Sequence, residues 1–371
     1  MGLAPFLSTP LYQRWLWGGR NLAGILRREL PPDGPVAESW EVSDVEGSST
    51  LVETGPYAGL ALREVVRREG EALLGSRAEG MPGQERRFPL LVKYLDAQEV
   101  LSIQVHPDDE YAGRYGNGSP GKTEMWYIVA AGEGSEVIAG LRPGIGREQV
   151  REAVREGRLP ELVRRQPVSA GEVVLMPAGR LHSLGRGIVA LEIQQTSNLT
   201  YRLYDWGRVG PDGRPRPLHA EQSLAVIDFA DADEPKLVAV VRREIWGKRL
   251  LLAVTPYFLT EAWDTQGSFD RSQALRAQTT GFSPEVLMVV SGSARVAWEG
   301  GALDLPHGRT AVVPARLGRY LVELREPSLL IRSRVPDLDR GLGEWSPTGE
   351  DEGKRIRAVC DRRAASRLFH G

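Results

Sequence analysis

The sequence predicts a mainly β protein built from two β-barrels, and three observations carry the prediction. Apolar runs of strand length, rich in β-branched and aromatic residues, recur between breaks that contain Gly, Pro or Asp. One spacing occurs twice. Gly171, Pro177, Gly179 and His182 stand as G-x5-P-x-G-x-x-H; Gly308 and Pro314 repeat it, with Arg319 at the place of the histidine. Finally, four side chains suited to a borderline divalent metal, Gln104, His106, Glu124 and His182, fall on predicted strands or at their ends.

The elements follow in order. Residues 1 to about 65 are loop-rich, and SWEVSDVEGSSTLVETG reads as strand, turn, strand. Residues 61–80 have a helical pattern. RFPLLVKYLDAQEVLSIQVHP reads as two buried strands with DAQ as the turn, and EMWYIVAAG as the next strand. GREQVREAVREGRLPELVRR, about 147–166, reads as two short helices broken at Pro160, a small helical insertion between barrel strands. Strands resume through VVLMPAGRLHSLGRGIVALEIQQ. A turn-rich link, PDGRPRP, and a short helix, LHAEQSLAVIDF, fill residues 212–235. The expected organisation is thus a metal-binding barrel over 1–235, a second barrel without a metal over 236–335, and a polar tail over 336–371. That tail is either flexible or an appendage that docks elsewhere.

The metal set has a physical logic. Side chains alternate across a strand, so Gln104 and His106 point the same way with Ser102, while Leu101, Ile103 and Val105 take the other face. A polar face inside a barrel requires something polar to be bound there. Glu124 opens its strand, and the glycines and Pro177 place His182 just past a strand end. A lone His-Pro or Lys-x-Glu carries little; the joint set on successive strands carries the inference.

Composition removes several classes. Apolar content of 41%, charged content of 26% and net charge −2 describe an ordinary globular chain, with no basic excess for nucleic acid. No stretch of about 18 apolar residues exists to span a membrane. The start lacks a basic leader followed by an apolar core and a cleavage site, so no signal peptide is expected. Cys360 is the sole cysteine, which excludes an intrachain disulfide and fits a cytoplasmic location. Five lysines stand against 42 arginines, yet Lys93 and Lys122 both lie beside the metal set. A lysine is a compact charge that can give up its proton when desolvated, which suggests chemistry or phosphate contact.

QVHPDD, GKTEMW, the G-x5-P-x-G-x-x-H segment and SNLTYRLYDWGR, in this order, resemble the type I mannose-6-phosphate isomerases of the cupin superfamily, in their short bacterial form. WGGRNL, AESWEVSD, FPLLVKYLDA and PRPLHAEQSLAVI extend the resemblance over roughly residues 10–325. It implies two cupin-type jelly-roll barrels and one zinc ion per chain, on Gln104, His106, Glu124 and His182. It also implies interconversion of mannose 6-phosphate and fructose 6-phosphate through an enediolate. Arg202 and Lys122 would be the catalytic residues, and Lys93, Ser102 and Asn198 would line the substrate pocket. Asn198 departs from the family, whose members often carry aspartate there.

Those residue types suit that chemistry. A C1–C2 proton shift needs a base and a cation at the developing oxyanion. Two imidazoles, an amide and one carboxylate leave a divalent ion with a formal charge of about +1, still able to attract an anion. Arg202 cannot act as a base, so it would clamp phosphate or stabilise the enediolate, the alternative being an ion pair with Asp205. Lys122 is the better candidate for proton transfer or phosphate contact. Competing readings are an isomerase of another aldose or sugar phosphate, and a non-catalytic sugar-phosphate-binding cupin. A metal-dependent dioxygenase is remote, because an amide replaces one histidine of the usual shell. A monomer or loose homodimer is expected.

Overall fold

A strand whose residues are apolar on both faces needs a packed layer on either side, and the long strands of this protein are covered in that way. The computed structural model describes residues 3–79, 86–210, 213–267, 269 and 274–369. Gly80, the end of the expected helical segment, and Pro211 and Asp212 of the link lie outside the described residues.

The first unit pairs two antiparallel sheets. The larger runs in the order Lys236–Leu237, Val173–Met176, Glu124–Ala131, Ile188–Gln195, Leu90–Ala97, Glu38–Val42, Leu11–Gln13. The smaller runs Val163–Pro167, Glu136–Leu141, His182–Ser183, Ile103–Val105, Tyr201–Tyr204. Trp126, Ile128, Val137, Ala139, Val174 and Ala190 fill the space between them.

The second unit repeats the plan with an eight-stranded and a four-stranded sheet. Trp263, Leu287, Val296, Tyr320 and Val322 lie inside it. Adjacent residues on the large-sheet strands point the opposite way, and these faces join the units. Met125, Leu191 and Ile193 share one apolar cluster with Ala262, Met288 and Ile331. The mainly β, two-barrel expectation holds, and no described helix is long and apolar enough to cross a membrane.

Local expectations fare unevenly. Helix forms within the described part of the segment 61–80, but Gly70 at φ 48° splits it into Leu62–Glu69 and Glu71–Leu74, and a 3-10 turn at Ser76–Ala78 follows. Only part of the insertion is helical. Arg147–Arg155 forms one helix and Leu159–Glu161 a single 3-10 turn. Pro160 sits in the first turn of that element, where its missing N–H has no cost, so it starts a helix rather than breaking one. Val163–Pro167 is a strand paired with Glu136–Leu141. Val150 and Leu159 pack the helical part against the outer face of the five-stranded sheet, beside Ile103 and Leu224.

The division at residue 235 is crossed by strands in both directions. Phe6–Thr9 belongs to the eight-stranded sheet, with Phe6 opposite Val312. Lys236–Leu237 pairs with Val173–Val174 of the first unit. The tail is docked. Helices Glu350–Ala358 and Arg362–Phe369 bury Ile356, Val359 and Ala364 against Leu251, Val254 and Leu259. Trp345 is fully buried, with the guanidiniums of Arg242 and Arg249 at 4.7 and 5.1 Å from its ring.

Candidate metal centre

Three adjacent strands of the five-stranded sheet place a row of side chains on one face: His182 stands opposite Gln104, and Gln104 opposite Arg202. His182 does not lie past a strand end, as the spacing suggested; it heads a strand of its own, paired with Gln104 and Ala139. Glu124 reaches the same space from the seven-stranded sheet, between Met176 and Gln194. His106 follows the Ile103–Val105 strand, its ring centroid 4.7 Å from that of His182.

The two imidazoles are fixed in the same sense. His106 Nδ1 is 3.0 Å from the carbonyl of Leu199, and His182 Nδ1 is 2.8 Å from that of Arg180. Each Nδ1 therefore donates its proton to the backbone, and each Nε2 keeps a lone pair for the centre. The Nε2 atoms lie 3.5 and 3.2 Å from the two oxygens of Glu124. Ligand atoms of His106, Glu124 and His182 all fall within 4.8 Å of one another.

Glu124 is fully buried, and neither carboxylate oxygen receives a well-directed hydrogen bond. Lys122 Nζ is nonetheless 2.7 Å from one of them. Burial pushes the Glu124 carboxyl up, but Lys122 and then His106 outweigh it and hold it well below the usual range. Burial, then the charge of Lys122, pushes His106 down to about 3, so its imidazole is neutral. A buried anion with unfilled acceptor sites, faced by two imidazole Nε2 atoms whose Nδ1 atoms are held by backbone carbonyls, fits a divalent cation.

Gln104 needs one adjustment. Its Nε2 faces His182 Nε2 at 3.4 Å, while its oxygen accepts from the Ser102 hydroxyl at 3.3 Å. Ligation by the oxygen requires the amide to turn over, which its near-symmetric shape permits.

The remaining residues expected at the site divide. Lys93 is buried beside it, 2.9 Å from Glu192 and 3.6 Å from Glu38. Burial works against its charge, but Glu192 and then Glu38 outweigh burial and raise its pKa. Arg202 does not pair with Asp205, which binds Arg208 and Arg216 instead. Its Nη1 donates to the carbonyl of Pro217 at 3.3 Å, and its Nε is buried without an acceptor. Asn198 is exposed on the loop before Tyr201–Tyr204 and is not brought into the cluster.

Sequence reasoning missed Glu192. It faces Lys93 across the strands, lies 3.9 Å from Lys122 and accepts from Trp126 Nε1 at 2.7 Å. The available signal was a carboxylate inside the apolar run IVALEIQQ, since an acid there is buried only with partners.

Fold and site together define a double jelly-roll protein with a buried His–Glu–His cluster able to hold a metal. The family model for the phosphomannose isomerase type I catalytic domain matches residues 6–126. A probable mannose-6-phosphate isomerase of Bacillus subtilis is 33% identical over 321 residues, covering 86% of this chain and 96% of the relative. A mannose-6-phosphate isomerase of Streptococcus mutans is 34% identical over 269 residues, covering 72% of this chain and 81% of the relative. The crystal structure of a Bacillus subtilis mannose 6-phosphate isomerase superposes with a TM-score of 0.78 at 29% identity, covering 89% of this chain and 99% of that one. The chain belongs to the type I phosphomannose isomerase family, and it is an isomerase.

Proposed function

We propose that this protein is a zinc-dependent isomerase that interconverts mannose 6-phosphate and fructose 6-phosphate through an enediolate. One observation supports the reading most: the fully buried Glu124 carboxylate has both histidine Nε2 atoms turned toward it and Lys122 beside it. One zinc ion held by Gln104, His106, Glu124 and His182 would polarise and orient the sugar's hydroxyl and carbonyl oxygens.

The other roles fall to the chain's own groups. Lys122 sits where it can pass a proton or meet an anionic oxygen, Nζ being 3.1 Å from His106 Nε2. Glu192 holds Lys93 and Lys122 on one side of the pocket. Among the described residues Arg202 has an unfilled donor and no carboxylate ion pair, which suits a phosphate clamp or an oxyanion partner. Once the Gln104 amide has turned over, the Ser102 hydroxyl oxygen can accept from its NH2 and hold it, and Asn198 would meet the substrate from its loop.

A coupled assay tests the proposal: fructose 6-phosphate formation from mannose 6-phosphate by zinc-loaded protein, with a chelated control. Turnover that is lost on chelation and restored by zinc is the expected result. Full turnover after complete metal removal would sink the zinc assignment. Turnover of a different aldose phosphate only would change the substrate, and saturable binding without turnover would leave a binding protein.

A further inference from the structure

Arg332 and Arg334 lie two residues apart on the strand Leu329–Arg334 of the second barrel, so they share a face, and both are buried. Their surroundings differ sharply. Arg332 donates to both oxygens of Glu285, to Glu261 and to the carbonyl of Gln278. Arg334 makes no side-chain hydrogen bond among the described residues. Its Nη1 is shut off from solvent without an acceptor, and Glu261, its nearest carboxylate, is 3.7 Å away. Glu261 is already taken by Arg249, Arg332 and the indole N–H of Trp345. A guanidinium carries five N–H donors, and burying the Nη1 end of this one without an acceptor is costly. Burial and the neighbouring Arg332 charge both press its pKa down.

Arg334 lines a cavity of about 340 Å³ between the open end of the second barrel and the start of the tail. Thr279 and Thr280 line it too. Their hydroxyl oxygens accept from the N–H groups of Gly318 and Phe282, which leaves both hydroxyl protons free to donate. The acids on the wall are engaged: Asp337 with Arg340, Glu344 with Arg249 and Arg332. Each of those ion pairs uses one carboxylate oxygen, Oδ2 of Asp337 and Oε2 of Glu344, so the cavity offers donors and an undercompensated cation beside two partly neutralised acids.

We propose that this cavity binds a phosphate-type oxyanion, either inorganic phosphate or the phosphate group of a sugar phosphate. Arg334 is its charged anchor, and the Thr279 and Thr280 hydroxyls are its further donors. A guanidinium fork matches two oxygens of such an anion, and hydroxyls can take the others. The site is separate from the metal centre and does not depend on the isomerase reading. Because residues 336–344 form one wall, an occupant would tie the tail to the second barrel.

Calorimetry of the zinc-loaded full chain tests this, with inorganic phosphate compared against chloride at matched ionic strength. Wild type should melt higher in phosphate. Arg334→Met should lose that rise and, in chloride, melt no lower than wild type, because a buried charge held only by a long ion pair to an already shared Glu261 has gone. Thr279→Val combined with Thr280→Val should weaken phosphate binding at least tenfold while keeping the cation, and it carries the test alone if Arg334→Met does not fold. Titration with fructose 6-phosphate separates the sources. One more site in wild type than in Arg334→Met assigns the sugar phosphate; the same number in both, with the phosphate rise confined to wild type, assigns inorganic phosphate. An equal phosphate rise in wild type and the variants, or none in wild type, overturns the proposal.

Discussion

Glu124→Gln separates the metal role of this side chain from its structural role. In the metal-free protein the amide can replace the carboxylate at small cost. Its NH2 can donate to His182 Nε2, now 3.2 Å from a carboxylate oxygen, because His182 Nδ1 already holds the imidazole proton on the Arg180 carbonyl. Its oxygen can face Lys122, now 2.7 Å from the other oxygen. The metal-loaded protein should respond differently. Changing an outer-shell partner typically costs 10- to 100-fold in metal affinity, so removing the only charged ligand should cost at least about 100-fold. At fixed free metal that is about 2.7 kcal/mol of lost metal-linked stabilisation. Scanning calorimetry with and without zinc, alongside the coupled assay, reads both effects. The expected result is a near-normal metal-free transition, a much reduced upward shift with zinc, and loss of turnover. A variant with the wild-type zinc shift and wild-type turnover would refute the assignment of Glu124 as ligand.

Three further outcomes follow from the same geometry. Glu192→Gln removes the nearest counter-charge of Lys93, leaving Glu38 at 3.6 Å; kcat/KM should fall about 10- to 100-fold, and an unchanged value would make Glu192 a packing residue. Arg202→Ala should cost about 1.5–3 kcal/mol of binding to a charged group, read as a higher KM for the sugar phosphate; an equal loss with the unphosphorylated sugar would exclude a phosphate clamp. In the second barrel, burial raises the Glu261 carboxyl but Arg332 and Arg249 outweigh it, bringing it from the ordinary 4.5 to about 2. The unfolded chain therefore binds the proton more readily, and stability present above about pH 4.5 should be lost as pH falls toward about 2. The loss is on the order of 3 kcal/mol; acid unfolding followed by tryptophan fluorescence should show this slope, and Glu261→Gln should flatten it.

The proposed metal shell was legible because its members obey local rules. Gln104 and His106 share a strand face by period two, Glu124 opens an apolar run, and His182 is framed by glycines, of which Gly171 and Gly179 adopt φ of 87° and 91°. Glu192 escaped because nothing local separates a clamped carboxylate from an interruption in a strand; its meaning comes from Lys93, 99 positions away in sequence but directly opposite in register. The tail escaped for the same reason. Its polar sequence hides one anchoring residue, Trp345, whose indole N–H reaches Glu261 at 2.5 Å. Pro160 misled because the same ring that ends a helix also begins one.

The strand Phe6–Thr9 has a consequence for how the protein is made. Its partner Thr310–Val313 is synthesised some 300 residues after it. Leu51–Val52 can pair with one edge early, but the backbone edge that meets Thr310–Val313 has no native partner until those residues are made. Neither half of the chain, expressed alone, can complete the eight-stranded sheet. A C-terminal fragment supplied with a peptide of the first residues is the simplest arrangement that could.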